Sequence, residues 1–114
     1  MNDRTYIGTF YGVYDIYVYT NDYSDVPHFH ILDARNRDKR YCVCCVEITE
    51  PRYFDYLDGQ HKLTEPEIFA MMEMLQSPHF GRAWMTKWEY LVYTWNVNNY
   101  SHIEDMKMPD YTNL

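Results

Sequence analysis

Two capping boxes in the second half of the chain mark where its helices begin. The first spans Thr64–Glu67, with Pro66 in the first turn, and the second spans Thr86–Glu89. In such a box the Thr hydroxyl and the Glu carboxylate each accept a hydrogen bond from a backbone N–H that the helix leaves unpaired. Apolar residues at helical spacing follow both boxes. The pattern therefore predicts helices over 65–76 and 87–98.

The first fifty residues are typical of a sheet, because apolar and β-branched residues alternate with polar ones between turn signals. Four strands are predicted, over residues 5–10, 13–20, 28–33 and 40–49, with a short edge strand near 52–56. This order favours an α+β fold, in which an antiparallel sheet of about four strands in the N-terminal half is covered by two C-terminal helices. Residues 1–100 are predicted to form one domain, and the aperiodic segment 101–114 a loosely ordered tail.

Charge narrows the class of protein. The chain has 17 acidic and 10 basic residues, a net charge of −7. Such a surface repels phosphate backbones and anionic lipid, so we expect no direct non-specific DNA binding and no membrane association.

Residues 1–5 lack the start of a signal peptide, and no apolar run reaches the roughly 18 to 20 residues of a membrane span. A cytoplasmic protein is expected.

The tetrapeptide P-H-F-H at residues 27–30 is the most specific local signal. On a strand, His28 and His30 point to one face and the phenylalanine to the other, so a buried phenylalanine leaves both imidazoles together. Two imidazoles at this spacing are suited to share a metal ion or to hold an anionic group, with Asp22 and Asp25 upstream as oxygen ligands. The alternative is structural, with each imidazole hydrogen-bonded to a carbonyl or carboxylate at the sheet edge.

Three cysteines, Cys42, Cys44 and Cys45, lie within four residues. This spacing is not that of a secreted disulfide framework. Cys42 and Cys45 form a C-x-x-C, but a redox pair of that kind opens a helix after a strand, whereas apolar and β-branched neighbours indicate a buried strand here. The first expectation is therefore three reduced, packed thiols and no cofactor.

Strand register decides whether thiols and imidazoles meet, because a slip of one residue inverts every side chain. In one register His30 lies opposite Cys44, and Cys42 lies on the same face. His28, His30, Cys42 and Cys44 would then supply the ligands of a tetrahedral zinc site. After a slip of one residue His28 faces Cys45, and Cys42 and Cys44 turn away. Zinc is the alternative to a cofactor-free domain.

The stretch over 16–22, followed by P-H-F-H, resembles a family of small bacterial and mobile-element domains of unknown function. These domains carry a doubled proline before H-F-H and occur in toxin–antitoxin-like gene pairs. The resemblance covers roughly residues 13–98. The chain has Tyr23 where the family pattern has a histidine after the aspartate, and Val26 in place of the first proline. The resemblance constrains the fold more than the function, because the family's activity is not established.

Thirteen tyrosines among 114 residues are too many to bury, because each hydroxyl needs a partner. Exposed aromatic rings interleaved with carboxylates favour a protein interface. A cationic hairpin tip over 35–40 is either a second contact surface or a solvated tip that keeps the sheet end from associating. The predicted interaction residues are Tyr17, Tyr19, Tyr23, Asp22, Asp25, Arg35, Arg37 and Arg40.

These features favour a non-enzymatic protein-binding module, since the sequence has no glycine-rich phosphate loop, nucleophilic serine motif or zinc-protease motif. We predict a phage or mobile-element accessory that inhibits or pairs with a host or cognate protein, for instance one that binds nucleic acid. The tyrosine-rich face is also suited to a homodimer. The alternatives are a metal-dependent hydrolase, nuclease or toxin-like enzyme using Asp22, His28 and His30, and a zinc-stabilised structural domain using the cysteines.

Overall fold

The computed structural model describes residues 3–22, 24–35, 42–54 and 61–114. Its elements are strands β1 (Arg4–Phe10), β2 (Tyr14–Tyr19), β3 (His28–Asp33) and β4 (Cys42–Glu47), helices α1 (Glu65–Gln76) and α2 (Lys87–Asn98), and a short 3-10 helix (Tyr111–Asn113). The four strands form one antiparallel sheet in the order β1-β2-β3-β4, and this confirms the predicted α+β fold.

Strand ends differ from the prediction near the fourth strand. β4 ends at Glu47 rather than at residue 49, and residues 40 and 41 lie outside the described residues. Of the predicted edge strand near 52–56, a single bridge between Val46 and Tyr53 is formed, and residues 55 and 56 also lie outside the described part.

Both helices begin at the predicted capping boxes. The Thr64 backbone N–H donates to Glu67 Oε1 at 2.8 Å, and the Thr86 N–H donates to Glu89 Oε1 at the same distance. Each carboxylate satisfies a donor that the first helical turn leaves unpaired. Among the described helices, none has the length and apolar character needed to cross a lipid bilayer.

The hydrophobic core lies between these helices and one face of the sheet. The sheet contributes Ile16, Val18, Phe29, Ile31, Cys44 and Val46, and the helices contribute Ile68, Met71, Leu75, Leu91 and Trp95. All of these side chains are at most 4% exposed. The opposite face is buried too, since its residues Tyr17, His28, His30, Leu32 and Cys45 are at most 8% exposed.

A β-bulge in β4 decides which cysteines share a face with the histidines. His30 pairs with Cys45 and Ile31 with Cys44, but the next residue on β3, Leu32, pairs with Cys42. Val43 is therefore an extra residue on β4, and no residue of β3 is paired with it. Cys42 and Cys45 consequently lie on the histidine face, although they are three residues apart.

The sequence predicted a loosely ordered tail over residues 101–114, and the structure packs several side chains of this segment against the core. Ile103 is 4% exposed and Tyr111 is fully buried. The Tyr111 hydroxyl donates to the Glu47 carbonyl at 2.6 Å, and the Trp88 indole N–H donates to the Met106 carbonyl at 2.8 Å. Isolated anchors of this kind produce no helical or strand periodicity, which is why the sequence pattern missed them.

Candidate metal centre

Two neighbouring strands place imidazoles and thiols on the sheet face that points away from Phe29 and Ile31. His28 and His30 alternate with Phe29 along β3, as predicted. Across the ladder Cys45 lies directly opposite His30. The bulge adds Cys42 to the same face.

One group of potential metal ligands comprises His30, Cys42 and Cys45. One ligand atom from each residue lies within 4.8 Å of the other two. The Sγ atom of Cys45 lies 3.3 Å from His30 Nδ1 and 3.1 Å from Cys42 Sγ. His30 and Cys45 are buried and Cys42 is half-buried, so solvent reaches the group from the Cys42 side.

A second group comprises Asp22, His28 and His30, and it shares His30 with the first. The Asp22 Oδ2 atom lies 3.0 Å from His28 Nε2 and 3.4 Å from His30 Nε2. The His30 ring is thus held between a thiol at Nδ1 and a carboxylate at Nε2. Its neutral tautomer with the proton on Nε2 donates to Asp22 and leaves a lone pair on Nδ1.

Helix α2 and the end of β2 position Asp22. Asn21 has a positive φ of 54°, and its N–H donates to the Asn98 carbonyl at 2.9 Å. The Asn99 side chain accepts from the Asp22 N–H at 2.8 Å and donates to the Tyr19 carbonyl at 3.0 Å. These bonds tie the residue after β2 to the last turn of the helix, so Asp22 sits on ordered backbone.

His28 is oriented by its other ring nitrogen. Nδ1 lies 2.8 Å from the Val26 carbonyl, which accepts but cannot donate, so Nδ1 carries a proton. Nε2 lies on the other side of the ring, 3.0 Å from the Asp22 carboxylate. The ring also stacks on Phe54, with 4.0 Å between ring centroids.

The hydrogen bonds among Asp22, His28 and His30 shift the pKa values of Asp22 and His30 in opposite directions. Burial alone would raise the pKa of Asp22, but hydrogen bonds from His28 and His30 outweigh it and hold that pKa well below its usual range. Burial alone would lower the pKa of His30, but its bonds to Asp22 and Cys42 outweigh this and raise it. Charge on the carboxylate and on the imidazole is thus mutually stabilised.

The pKa values of Cys42 and Cys44, which lie on opposite faces of β4, also shift in opposite directions. The hydrogen bond from Cys45 lowers the pKa of Cys42, and the neighbouring His30 lowers it further. Burial in the core raises the pKa of Cys44. Of these two thiols, Cys42 therefore becomes a thiolate more readily than Cys44, and the thiolate is the form that binds metals.

Of the four residues in the zinc hypothesis, the structure brings His30 and Cys42 into one ligand group, with Cys45 as the second thiol in place of Cys44. Neither predicted register runs along the whole strand pair: His30 lies opposite Cys45, and only beyond the bulge does Cys42 lie opposite Leu32, as the first predicted register has it. Cys44 faces the core, so it does not join the cluster. Cys45 was missed as a partner of His30 because no glycine or proline in the sequence marks the bulge. Asn99 was missed too, because no motif signals its contact with Asp22.

Two of the predicted interaction tyrosines, Tyr17 and Tyr19, are covered to a large extent in the structure. Tyr17 is 8% exposed and lies beneath the Arg4 guanidinium, whose central carbon is 4.4 Å from the ring centroid. Tyr19 is half-buried, and its ring centroid lies 4.2 Å from that of His30. The Tyr19 ring thus packs beside the histidines, and the Tyr17 ring packs beside Tyr6 and Arg4. Tyr23 lies outside the described residues.

The charged interaction residues are also separate from the cluster, apart from Asp22. Asp25 is exposed and belongs to neither ligand group. Arg35 is exposed and forms a two-pronged ion pair with Asp33, at 2.9 and 3.0 Å. Arg37 and Arg40 fall outside the part of the chain that the structure describes.

Comparisons with protein families, with curated proteins and with solved structures find no match to this chain. The resemblance to the P-P-H-F-H domains therefore stays a prediction. The site has to be interpreted from its own chemistry.

Proposed function

We propose that the protein is a metal-binding domain that holds one divalent transition-metal ion, with zinc as the best fit, through Cys42, Cys45 and His30. The observation that carries this proposal is the convergence of two Sγ atoms and one imidazole nitrogen within 4.8 Å of one another. It replaces the expectation of a cofactor-free domain.

The donor set favours zinc over hard cations. Thiolate and imidazole are the preferred ligands of Zn²⁺, whereas Mg²⁺ and Ca²⁺ take oxygen ligands. Two thiolates on one tetrahedral zinc lie about 3.8 Å apart, given Zn–S bonds of about 2.3 Å. The Cys42 and Cys45 sulfurs are 3.1 Å apart, so a small rotation of the half-buried Cys42 side chain accommodates the ion.

Asp22 supports this assignment from the other side of the His30 ring. A metal-ligating histidine usually donates its second ring N–H to a carboxylate or carbonyl, which fixes the tautomer and makes the ligating nitrogen more basic. His30 has this arrangement, with Nδ1 toward the thiols and Nε2 3.4 Å from Asp22 Oδ2.

Three protein ligands leave one coordination position of a tetrahedral ion for an exogenous ligand. Among the described residues, the ligand group contains no fourth member on the thiol side. An open position of this kind distinguishes catalytic from closed structural zinc sites. The proposal therefore favours a site that accepts water or a small anion over the closed zinc-stabilised domain.

Metal content of the reduced, purified protein tests the proposal. We expect one zinc per chain by elemental analysis, and a thiolate-to-metal charge-transfer band after substitution with Co²⁺. The His30→Ala and Cys45→Ala variants should lose both signals. The matched controls Cys44→Ala and His61→Ala should keep both, because Cys44 faces the core and His61 is exposed.

Wild-type protein without zinc and without a cobalt–thiolate band would overturn the proposal. So would a Cys44→Ala variant that folds, as judged by circular dichroism, and yet loses the ion. Metal that survives Cys45→Ala and His30→Ala would place the ion elsewhere and would equally contradict it.

Protein binding is a second candidate function, favoured by an aromatic surface that the segment linking α1 and α2 forms together with Tyr93 of α2. We define this loop surface by Phe80, Arg82, Trp84 and Tyr93. Phe80 is 71% exposed and Trp84 is 80% exposed. Arg82, Trp84 and Tyr93 border one cleft with Met85. Large aromatic and arginine side chains dominate the energetics of protein interfaces.

The loop surface carries the positive charge of Arg82, in contrast to the net charge of −7 of the chain as a whole. His79 is buried beneath it, and its Nδ1 accepts from the backbone N–H groups of Gly81 and Arg82, at 3.1 and 2.9 Å. Residues 77–88 include Arg82 and Lys87 but no acidic residue, whereas the chain carries −7. The complementary partner is a protein with carboxylates around an apolar pocket.

A pair of matched aromatic variants tests this candidate. A partner recovered with the wild type should also be recovered with Tyr100→Ala, because Tyr100 is 98% exposed and lies outside the loop surface. The same partner should be lost with Trp84→Ala. Equal recovery with both variants would exclude this surface. A phage, toxin–antitoxin or inhibitor role, and a homodimer, stay predictions.

A further inference from the structure

The bulge in β4 brings Cys42 and Cys45 to a spacing that a regular strand cannot provide. In a regular strand two residues three apart lie on opposite faces, with Cα atoms about 10 Å apart, whereas a disulfide requires less than about 7 Å. Here Cys42 and Cys45 pair with Leu32 and His30, which are only two residues apart. Two strand rises are about 6.6 Å, which lies within the range of disulfide Cα separations.

The sulfur atoms are already in contact across the bulge. Cys42 Sγ lies 3.1 Å from Cys45 Sγ, and closing a disulfide shortens this to about 2.05 Å. Cys44 is excluded from such a bond, because its side chain is fully buried on the core face. Cys45 is fully buried as well, so the half-buried Cys42 is the sulfur that an oxidant meets first.

We propose that Cys42 and Cys45 are a reversible dithiol–disulfide pair, and that their oxidation by a hydroperoxide releases the bound metal ion. The release step rests on the metal site proposed above. The disulfide step rests on the geometry of the bulge alone. In this proposal the C-x-x-C is a redox pair that lies on a strand, whereas redox pairs of this spacing usually lie at the start of a helix.

Oxidation proceeds in two displacements with hydrogen peroxide as the oxidant. Cys42 Sγ attacks one peroxide oxygen, the O–O bond breaks, and the sulfur becomes a sulfenic acid while the other oxygen leaves as hydroxide. Cys45 Sγ then attacks the sulfenic sulfur, an S–S bond forms, and the S–O bond breaks. Both leaving oxygens take up protons, so two sulfurs lose two electrons and one peroxide becomes two waters.

Loss of both thiolates dismantles the ligand group. A disulfide sulfur has no charge and binds zinc weakly, so His30 is left as the only ligand of the original three. The ion then dissociates. A thiol reductant returns the two thiolates by exchange through a mixed disulfide, and the site is restored.

The test uses the zinc-loaded full chain, one equivalent of hydrogen peroxide and a chromophoric zinc chelator. We expect one zinc released per chain, together with the loss of two hydrogen atoms in the mass of the unreduced protein. Peptide mapping should find a Cys42–Cys45 bond, and dithiothreitol should reverse both changes. The Cys44→Ala control should behave as the wild type does.

The two proposals fail in different ways. A chain that binds no zinc but forms the Cys42–Cys45 disulfide contradicts the metal site and keeps the redox pair. A chain that binds zinc and keeps it through peroxide treatment contradicts the redox pair and keeps the metal site. Oxidation of Cys42 to a sulfinic acid, disulfides between chains, or a bond that includes Cys44 would each overturn the redox proposal. A Cys42→Ala variant that still forms an internal disulfide would do so as well.

Discussion

The imidazole of His30 is held between Cys45 and Asp22, with Nδ1 3.3 Å from the Cys45 sulfur and Nε2 3.4 Å from the Asp22 carboxylate. Because Asp22 follows β2 and Cys45 lies on β4, the ring links the two neighbours of its own strand. A half-turn flip of the ring would turn carbon atoms toward both partners and would break both contacts at once. Its orientation is therefore set by two partners that the chain supplies from opposite sides.

Replacing Asp22 by asparagine should weaken zinc binding without removing a ligand. The amide carries no charge, so the Nδ1 lone pair of His30 becomes less basic, and changes of this kind lower metal affinity by about 10- to 100-fold. Competition with a chromophoric chelator measures the affinity. Asp25→Asn is the matched control, because Asp25 is exposed and belongs to neither ligand group. Equal affinities for the two variants would contradict the role assigned to Asp22.

Cys44 should contribute to stability and not to metal binding. A Cys44→Ser variant puts a hydroxyl into an apolar core and should lower the free energy of unfolding by about 1 to 3 kcal/mol. Cys44→Val keeps the side chain apolar and adds about one methyl group, so it should cost less than Cys44→Ser. Urea denaturation of the metal-free protein measures both. A loss of zinc stoichiometry in the valine variant would contradict the assignment of Cys44 to the core.

Tyr111 should anchor the C-terminal segment. Removing its hydroxyl in Tyr111→Phe breaks the bond to the Glu47 carbonyl and should cost about 1 kcal/mol. Tyr111→Ala leaves a cavity and should cost about 3 to 5 kcal/mol. Tyr100→Ala, at a 98% exposed side chain, should change the free energy of unfolding by less than about 0.5 kcal/mol. Equal stability of the Tyr111 and Tyr100 variants would mean that the segment is loosely held.

His79 should make the fold less stable as the pH falls below neutrality. Burial lowers the pKa of His79 below its usual 6.5, and the positive charges of Arg82 and Lys87 lower it further. The ring packs on Phe80 and Tyr90, with centroids 4.4 and 4.2 Å away. The unfolded state then binds more protons than the folded state, so stability rises with pH. His79 therefore contributes its full stabilisation at pH values above its pKa in the unfolded chain. This stabilisation is lost as the pH falls through the lower pKa of His79 in the folded protein.

Denaturation of the wild type at several values between about pH 7.5 and 5 measures this dependence. A His79→Asn variant does not titrate there, so its unfolding free energy should fall less steeply over the same interval. His61→Asn should keep the wild-type slope, because His61 is exposed. A wild-type slope in His79→Asn would assign the effect to other groups.

The helices were predictable because their signals are local. Thr64 with Glu67, and Thr86 with Glu89, satisfy backbone donors within one turn, so four consecutive residues contain the whole interaction. The face occupied by His28 and His30 was predictable for a similar reason, since alternation along a strand needs no knowledge of the partner strand.

The rest depended on contacts between distant residues. The bulge in β4 decides which cysteines share a face with His30. The extra residue in the bulge is Val43, and valine is common in regular strands, so nothing in the sequence marks the position. Tyr17 was expected to be exposed because thirteen tyrosines are too many to bury, but that count does not say which of them are covered, and here the sheet face that carries Tyr17 is buried. Tyr111 reaches the end of β4 from 64 positions away in the chain.

Val43 gives β4 one residue more than its ladder needs, and this has a consequence for insertions and deletions. Deleting Val43 would make Cys42 the direct neighbour of Cys44, still opposite Leu32 and still on the side of His30, so the cluster should survive the shortening. Deleting Val46 would advance every preceding residue by one position, turn Cys42 and Cys45 toward the helices, and bring Cys44 to the histidines. The strand can therefore tolerate a lost codon at one position that would abolish its chemistry three residues later.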